Sequence, residues 1–589
     1  MRITGSSIEN VPSPAVQSLV RVAEGWDGVC RVLTDFLRDR VRTGRKPRIA
    51  LDGYAGSDWK TIRKRIGDFA RAVEANTVFI DVSTCLRSKR EIDALIGPCL
   101  PKDDPIFGRL FSGDLSAFFD PARLRALSLE LRSRPESIVI CYGSGAALAP
   151  LRTRYDCILY FDLTREEVLR RNRSWAEQKS KTQSISPRRI YYVDLPVHDR
   201  HRKRILPFAD FYIDGNDPRS PKILSRRSLL SLVEGLVRMP FRVKPLYEPG
   251  VWGGQWLKER RSLPRTMINC AYGFEIIAPE QSVRASIGAA RVEIPFTLLM
   301  ATAASEVMGE KACRRFRAQF PIRFCYDDTW KGGSLSVQVH PPAGYMRSRF
   351  SEGMHQAEMY YIFDAEPGSR VTLGLREGID AAAFRRAAEE SEARRARLDH
   401  GLYVNTVPAR KGDILLIPPG TVHGAGANEL VLEISSTPYR YTFKIYDYCR
   451  PDLDGSFRPL SLGHAFAVIR SERTERWVNA HLMPSPRLLK AGKGWRAYVI
   501  ADSRRFSYIV HRIDFTAAYP DDTGGTFHIL NLVEGEKALV LPRAGASAGR
   551  PIAFSETILV PAGVGAYRVI NQGSRPCRIV KAFPRMQEG

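Results

Sequence analysis

The chain has 589 residues, a length for about three to five domains, and its 44% apolar and 26% charged residues are globular proportions. It has no apolar run long enough to cross a membrane, and the opening MRITGSSIENVPSPA lacks the basic-then-apolar pattern of a secretory signal. The net charge of +25 is spread along the chain as arginine, without a basic tail or a basic–aromatic stripe, so it favours anionic small substrates over nucleic acid. The ten cysteines stand singly, with no CxxC, which fits free thiols in a reducing cytoplasm better than a disulfide framework or a zinc ribbon.

Residues 1–47 read as an amphipathic helical lead. Val16, Leu19, Val20 and Ala23 form one apolar set, and Val29, Val32, Leu33 and Phe36 a second, each at the three-and-four spacing of a helix face. From 48 to 240 the pattern becomes strand, turn, helix, repeated. RIALDG, NTVFIDVS, SIVICYGSG, CILYFDLT and ADFYID are short apolar strands separated by helical stretches, which predicts a parallel α/β sheet. After Pro240 and Pro245 the chain changes to short strands with Gly and Pro turns, the habit of all-β jelly rolls. Helical inserts are expected near 380–398 and 462–482. The turns PPGTVHG and PAGVGAY echo each other, which predicts two cupin-like barrels over 241–485 and 486–589, the first with metal and the second without.

The chemistry concentrates between 335 and 435. Leu335, Val337 and Val339 alternate with Ser336, Gln338 and His340, so Gln338 and His340 share a strand face until Pro341-Pro342 ends the strand. A second strand starts at Glu358, and ILLIPPGTVHG brings His423 from a third. One carboxylate, two imidazoles and an amide oxygen suit a divalent metal that keeps a position open for substrate or water.

Two resemblances follow from quoted residues. The turn at Gly53, the aspartate at 81, the segments FFDPARL and RRNRSWAEQ and the ADFYID strand resemble the uridine kinase and phosphoribulokinase-like branch of P-loop kinases. The pattern departs where that family has G-K-[ST]: Asp58 and Trp59 replace the glycine and the phosphate-binding lysine, and Lys60 sits one residue further on. An acid in a phosphate nest is repulsive, so ATP binding and kinase activity are not expected of this segment. The motifs VWGG, FPIRF, SVQVHPP, EMYYIFDAEPG, KGDILLIPPGTVHG, VLEIS and KIYDY, in this order from 251 to 448, resemble the class I mannose-6-phosphate isomerases of bacteria.

That second resemblance implies a pair of cupin barrels, a Zn²⁺ cofactor held by Gln338, His340, Glu358 and His423, and a hexose phosphate substrate. It also shows departures. The family commonly has a lysine two residues before the glutamate ligand, where this chain has Gln356, and a substrate-side arginine where this chain has Lys444. Arg440, Thr442 and Lys444 are expected on one strand face, making Lys444 and Arg440 the candidate phosphate holders, with Lys411 an outsider. Glu433 is a candidate base, with an ordinary barrel carboxylate as the competing reading. Three functions stay open: a zinc-dependent sugar-phosphate isomerase, a metal-binding cupin that senses a sugar phosphate without turnover, and a bifunctional kinase–isomerase.

Overall fold

The computed structural model describes residues 7–42, 44, 46–73, 76–133, 137–178, 185–543 and 549–586. The first six residues of the expected helical lead lie outside them. Contacts group the chain into two compact units, one of Glu9–Leu236 with Pro279–Ala303, the other of Met1–Ile8, Val237–Ala278 and Ala304–Gly589. A later stretch of chain, Pro279–Ala303, thus returns to complete the first unit.

The first unit is built on seven strands: β1 (Val22–Glu24), β2 (Arg48–Gly53), β3 (Thr77–Asp81), β4 (Ile138–Tyr142), β5 (Cys157–Asp162), β6 (Phe211–Asp214) and β7 (Lys222–Ser225), in the order β1-β7-β6-β5-β2-β4-β3. The expected parallel strands β2 to β6 are present, but the sheet is mixed, because β7 runs antiparallel to β6 and β1 antiparallel to β7. The cause is connection length: residues 215–221 are too few for the crossover that a parallel neighbour requires. The lead is also not purely helical. Gly25, at φ 71°, turns the chain from edge strand β1 into the helix Gly25–Arg42. That helix buries Val29, Leu33 and Leu37 against Ile49, Leu51, Ile62 and Ile66, so the lead shares one core with the sheet.

The chain enters the second unit through β8 (Leu246–Glu248) and β9 (Tyr272–Ile276), and the hairpin β10 (Ser282–Ile287) and β11 (Ala290–Pro295) belongs to the first unit. The second unit resumes with β12 (Ile322–Asp328), β13 (Val337–Val339), β14 (Glu358–Ala365), β15 (Arg370–Leu375), β16 (Val404–Pro408), β17 (Ile414–Ile417), β18 (His423–Gly424), β19 (Glu429–Ser436) and β20 (Phe443–Tyr446). Two antiparallel sheets result, β17-β14-β19-β12-β9-β8 and β16-β15-β18-β13-β20. Their strands are short and rich in buried apolar and aromatic residues, as a two-layer antiparallel core requires. The expected helical inserts are Ala381–Arg394, capped by Asp380, and the pair Leu462–Val468 and Glu475–His481.

Among the described residues, ten further strands between Arg487 and Pro584 form sheets of six and four strands over a core that includes Ile513, Leu530, Leu532, Val540 and Ile579. This sandwich and the preceding barrel belong to one unit. Tyr508 donates to the carbonyls of Ile434 (2.7 Å) and Ala357 (3.2 Å), bracing two barrel strands next to the residues described below.

Candidate metal centre

Strand pairing brings the four expected ligands together. Gln338 on β13 stands opposite His423 on β18, and Pro341-Pro342 stops β13 so that His340 is the first residue beyond it. Glu358 opens β14 in the facing sheet. The ligand atoms of His340, Glu358 and His423 all lie within 4.8 Å of one another, and all three residues are buried. His340 Nε2 is 2.8 Å from Glu358 Oε1, His423 Nε2 is 3.3 Å from Glu358 Oε2, and the Gln338 amide is 3.3 Å from His423 Nε2.

The backbone orients both imidazoles. His423 Nδ1 donates to the carbonyl of Thr421 (2.9 Å) and His340 Nδ1 to that of Tyr441 (3.2 Å). A carbonyl only accepts, so each Nδ1 carries a proton and each Nε2 is aimed inward, the orientation of metal-bound histidines. His340 Nε2 and Glu358 Oε2 are buried with no partner in hydrogen-bond geometry among the described residues. Leaving such atoms unsatisfied costs about 1–3 kcal/mol each, and more for a charge. Two imidazole nitrogens, a carboxylate and an amide whose oxygen a half-turn would present fit a four-donor site for a divalent ion such as zinc.

Charge around these residues is dense. Burial alone would raise the Glu358 carboxyl, but His340 and His423 hold it well below the usual carboxylate range, and Gln356 donates to it as well. Glu433 on β19 is raised by burial against the pull of Arg323. Asp327, raised well above its ordinary value by burial and by Glu433, shares this interior. Lys444 stands opposite Gln338, so His423, Gln338 and Lys444 form one row across three strands. Burial, with Arg458 adding, brings Lys444 down to about 8.

The expected strand through Arg440, Thr442 and Lys444 is not formed. β20 begins at Phe443, and Arg440 lies in the irregular segment before it, stacked on Tyr439 with its guanidinium carbon 4.9 Å from the ring centre. Pro438 cannot donate to a ladder, which ends the pairing after β19. Lys411 is exposed in a turn. Sequence reasoning missed Arg323, Asp327 and Tyr360, which are buried in the same barrel. The available signal was an arginine standing between Ile322 and Phe324 in a strand, IRFCYDD, that also ends in two aspartates.

In the loop after β2, expected to resemble a phosphate-binding turn, three backbone donors are committed to the chain itself. Tyr54 N–H bonds the Phe161 carbonyl (2.8 Å), Ser57 N–H that of Tyr54 (3.3 Å) and Trp59 N–H that of Ser57 (3.0 Å). Asp58 Oδ1 accepts from Thr61 N–H (3.1 Å) at the start of the helix Trp59–Val73, an N-cap role. Trp59 packs edge-on against Phe161 and Lys60 is exposed.

Residues 25–238 match a family described as a domain of unknown function (DUF8485). A stretch of 186 residues is 27% identical to the probable mannose-6-phosphate isomerase GmuF of Bacillus subtilis, covering 32% of this chain and 54% of that protein. The chain thus spans about half the length of the first curated relatives it matches. Among solved structures, the mannose 6-phosphate isomerase of Bacillus subtilis aligns with a TM-score of 0.47 at 19% identity, over 58% of this chain and 99% of that one. A mannose 6-phosphate isomerase bound with zinc and yttrium aligns with a TM-score of 0.44 at 14% identity, over 59% and 100%. Part of this chain is therefore homologous, at low identity, to mannose-6-phosphate isomerases.

Proposed function

We propose that the barrel is a zinc-dependent aldose–ketose isomerase that interconverts mannose 6-phosphate and fructose 6-phosphate. The observation that carries this reading is the buried His340, Glu358 and His423 cluster, with ligand atoms lacking partners, inside a chain homologous to such isomerases. Gln338, His340, Glu358 and His423 would hold the ion, which would supply a Lewis acid to stabilise the developing oxyanion.

The chain's own residues supply the rest. Moving a proton between C1 and C2 needs a base, and Glu433, a buried barrel carboxylate that burial raises above its ordinary value against the pull of Arg323, is the candidate. Lys444, in the row with Gln338 and His423, is the cation for the substrate phosphate. The enclosed interior around Tyr360, Asp327 and Glu433 limits water and strengthens each of these interactions. Gln356 favours a second reading, a metal-binding cupin that holds a sugar phosphate without turnover, because a neutral amide donates to Glu358 where the resembled isomerases carry lysine.

A coupled assay for fructose 6-phosphate on the full chain separates the two. The isomerase reading expects turnover that a chelator abolishes and added zinc restores. Binding of mannose 6-phosphate without turnover would replace it with the second reading.

A further inference from the structure

We propose that Arg323 is a positioning residue of the proton-transfer machinery, a buried guanidinium that fixes Glu433 and steadies Glu358 from a neighbouring strand. The proposal rests on the isomerase reading of the barrel. Arg323 lies on β12, and its side chain is 5% exposed. A guanidinium so placed must be fully paired, because an uncompensated buried charge is strongly destabilising.

Its partners all belong to the centre. Nε donates to Ser435 Oγ at 2.8 Å, Nη2 meets Glu433 Oε1, and the same Nη2 is 3.7 Å from Glu358 Oε1. Ser435 Oγ in turn donates to Glu433 Oε1 at 2.7 Å. Arg323, Ser435 and Glu433 thus close a ring of hydrogen bonds. One Glu433 oxygen accepts two of them, so the carboxylate cannot swing and its second oxygen keeps a set direction. The planar fork of arginine suits this two-sided contact, which a lysine point charge cannot reproduce.

The ring is mounted on rigid elements. Ser435 on β19 stands opposite Arg323 on β12 and, on its other side, opposite Glu358 on β14. Arg323, Ser435 and Glu358 therefore form one row across three strands, the kind of support that holds a site more tightly than loops do. The row also puts a permanent positive charge beside Glu358, whose sequence neighbour Gln356 is neutral. The Tyr439 ring, 5.2 Å from the guanidinium carbon, limits Arg323 on another side.

A double-mutant cycle on the full chain tests this, with Arg323→Met, Glu433→Gln and the pair, read as kcat, KM and zinc content. Arg323→Met is expected to lower kcat by about 100-fold, the lower range for lost general acid–base action, with KM and zinc content near wild type. In the Glu433→Gln background the same change is expected to cost less than about 3-fold, because residues acting as one unit are not additive. Arg323→Lys keeps the charge without the fork and is expected to fall between Met and wild type. It also serves as the readout if Arg323→Met does not fold.

Multiplicative losses in the cycle, a kcat loss that follows zinc loss, or an Arg323→Lys variant equal to wild type would each overturn the proposal. An inactive wild type would remove the isomerase reading and this role with it. An active wild type with multiplicative losses would remove only the role of Arg323.

Discussion

Two buried polar centres in this protein use the same residue types and reach opposite ends. At the carboxyl end of the parallel strands, Asp52 accepts from Gly145 N–H (2.9 Å), Ala147 N–H (2.8 Å) and His201 Nε2 (2.9 Å). Arg202 pairs with Asp162 at 3.1 Å and Asp199 at 2.7 Å, and Arg165 with Asp199 at 2.5 Å and Glu280 at 3.0 Å. Each of these carboxylates meets its own cation or backbone donors. In the barrel, two imidazoles converge on one carboxylate, and Glu358 Oε2 and His340 Nε2 are buried without a hydrogen-bond partner among the described residues. The carboxylates separate the two, since Arg165 Nε and Arg202 Nε in the first centre also lack a partner among the described residues: a carboxylate saturated by its own chain holds the fold together, whereas one left short of partners holds a place for something else. The carboxyl end of an open α/β sheet is a common ligand site, and here the helix Leu195–Ile205 fills it with His201 and Arg202.

The sharpest break in that comparison is removal of the barrel histidines. His340→Ala with His423→Ala is expected to take zinc from about one per chain, the content of a single four-donor site, to none, with complete loss of turnover. Elemental analysis of the purified full chain checks it, and zinc retained at the wild-type level would rule out this centre.

Next in size is the closed network. Arg202→Met leaves Asp162 and Asp199 short of a buried partner and is expected to cost about 3–5 kcal/mol of stability. Zinc content is expected to stay unchanged. Urea unfolding beside elemental analysis reads both, and a variant as stable as wild type would mean that Arg202 does not hold this unit together.

The smallest effect concerns Lys444. Losing one charge-assisted contact costs about 1.5–3 kcal/mol, so Lys444→Ala is expected to lower kcat/KM by about 10- to 150-fold. A clamp that grips substrate and transition state alike puts most of that into KM. Lys444→Arg is expected to keep activity. Steady-state kinetics with mannose 6-phosphate settle it, and an alanine variant equal to wild type would move the phosphate site elsewhere.

These elements differ in how far the chain alone announced them. The strand at 337–339 was legible from alternation, and its end from Pro341-Pro342. The strand starting at Glu358 and the turn carrying His423 were legible too, because each is a local pattern of apolar period and turn residues. The parallel strands of the first unit were legible for the same reason. Arg440 was misplaced because strand period was extended back from Lys444 to Arg440, whereas the strand begins only at Phe443. The antiparallel β7 and the strand in the lead escaped because direction depends on connection length and on a glycine with positive φ.

By itself, then, the chain determined which residues could serve as ligands, and on which faces of which strands they would lie, since the period of a strand is local. Tertiary structure alone decided which polar groups would find partners. Arg323, Ser435 and Glu358 are separated by scores of residues and meet only through the register of β12, β19 and β14. Glu280 reaches Arg165 only because Pro279–Ala303 folds back into the first unit. Whether a buried charge is satisfied is a property of strand register and chain return, and no local pattern of residues encodes either.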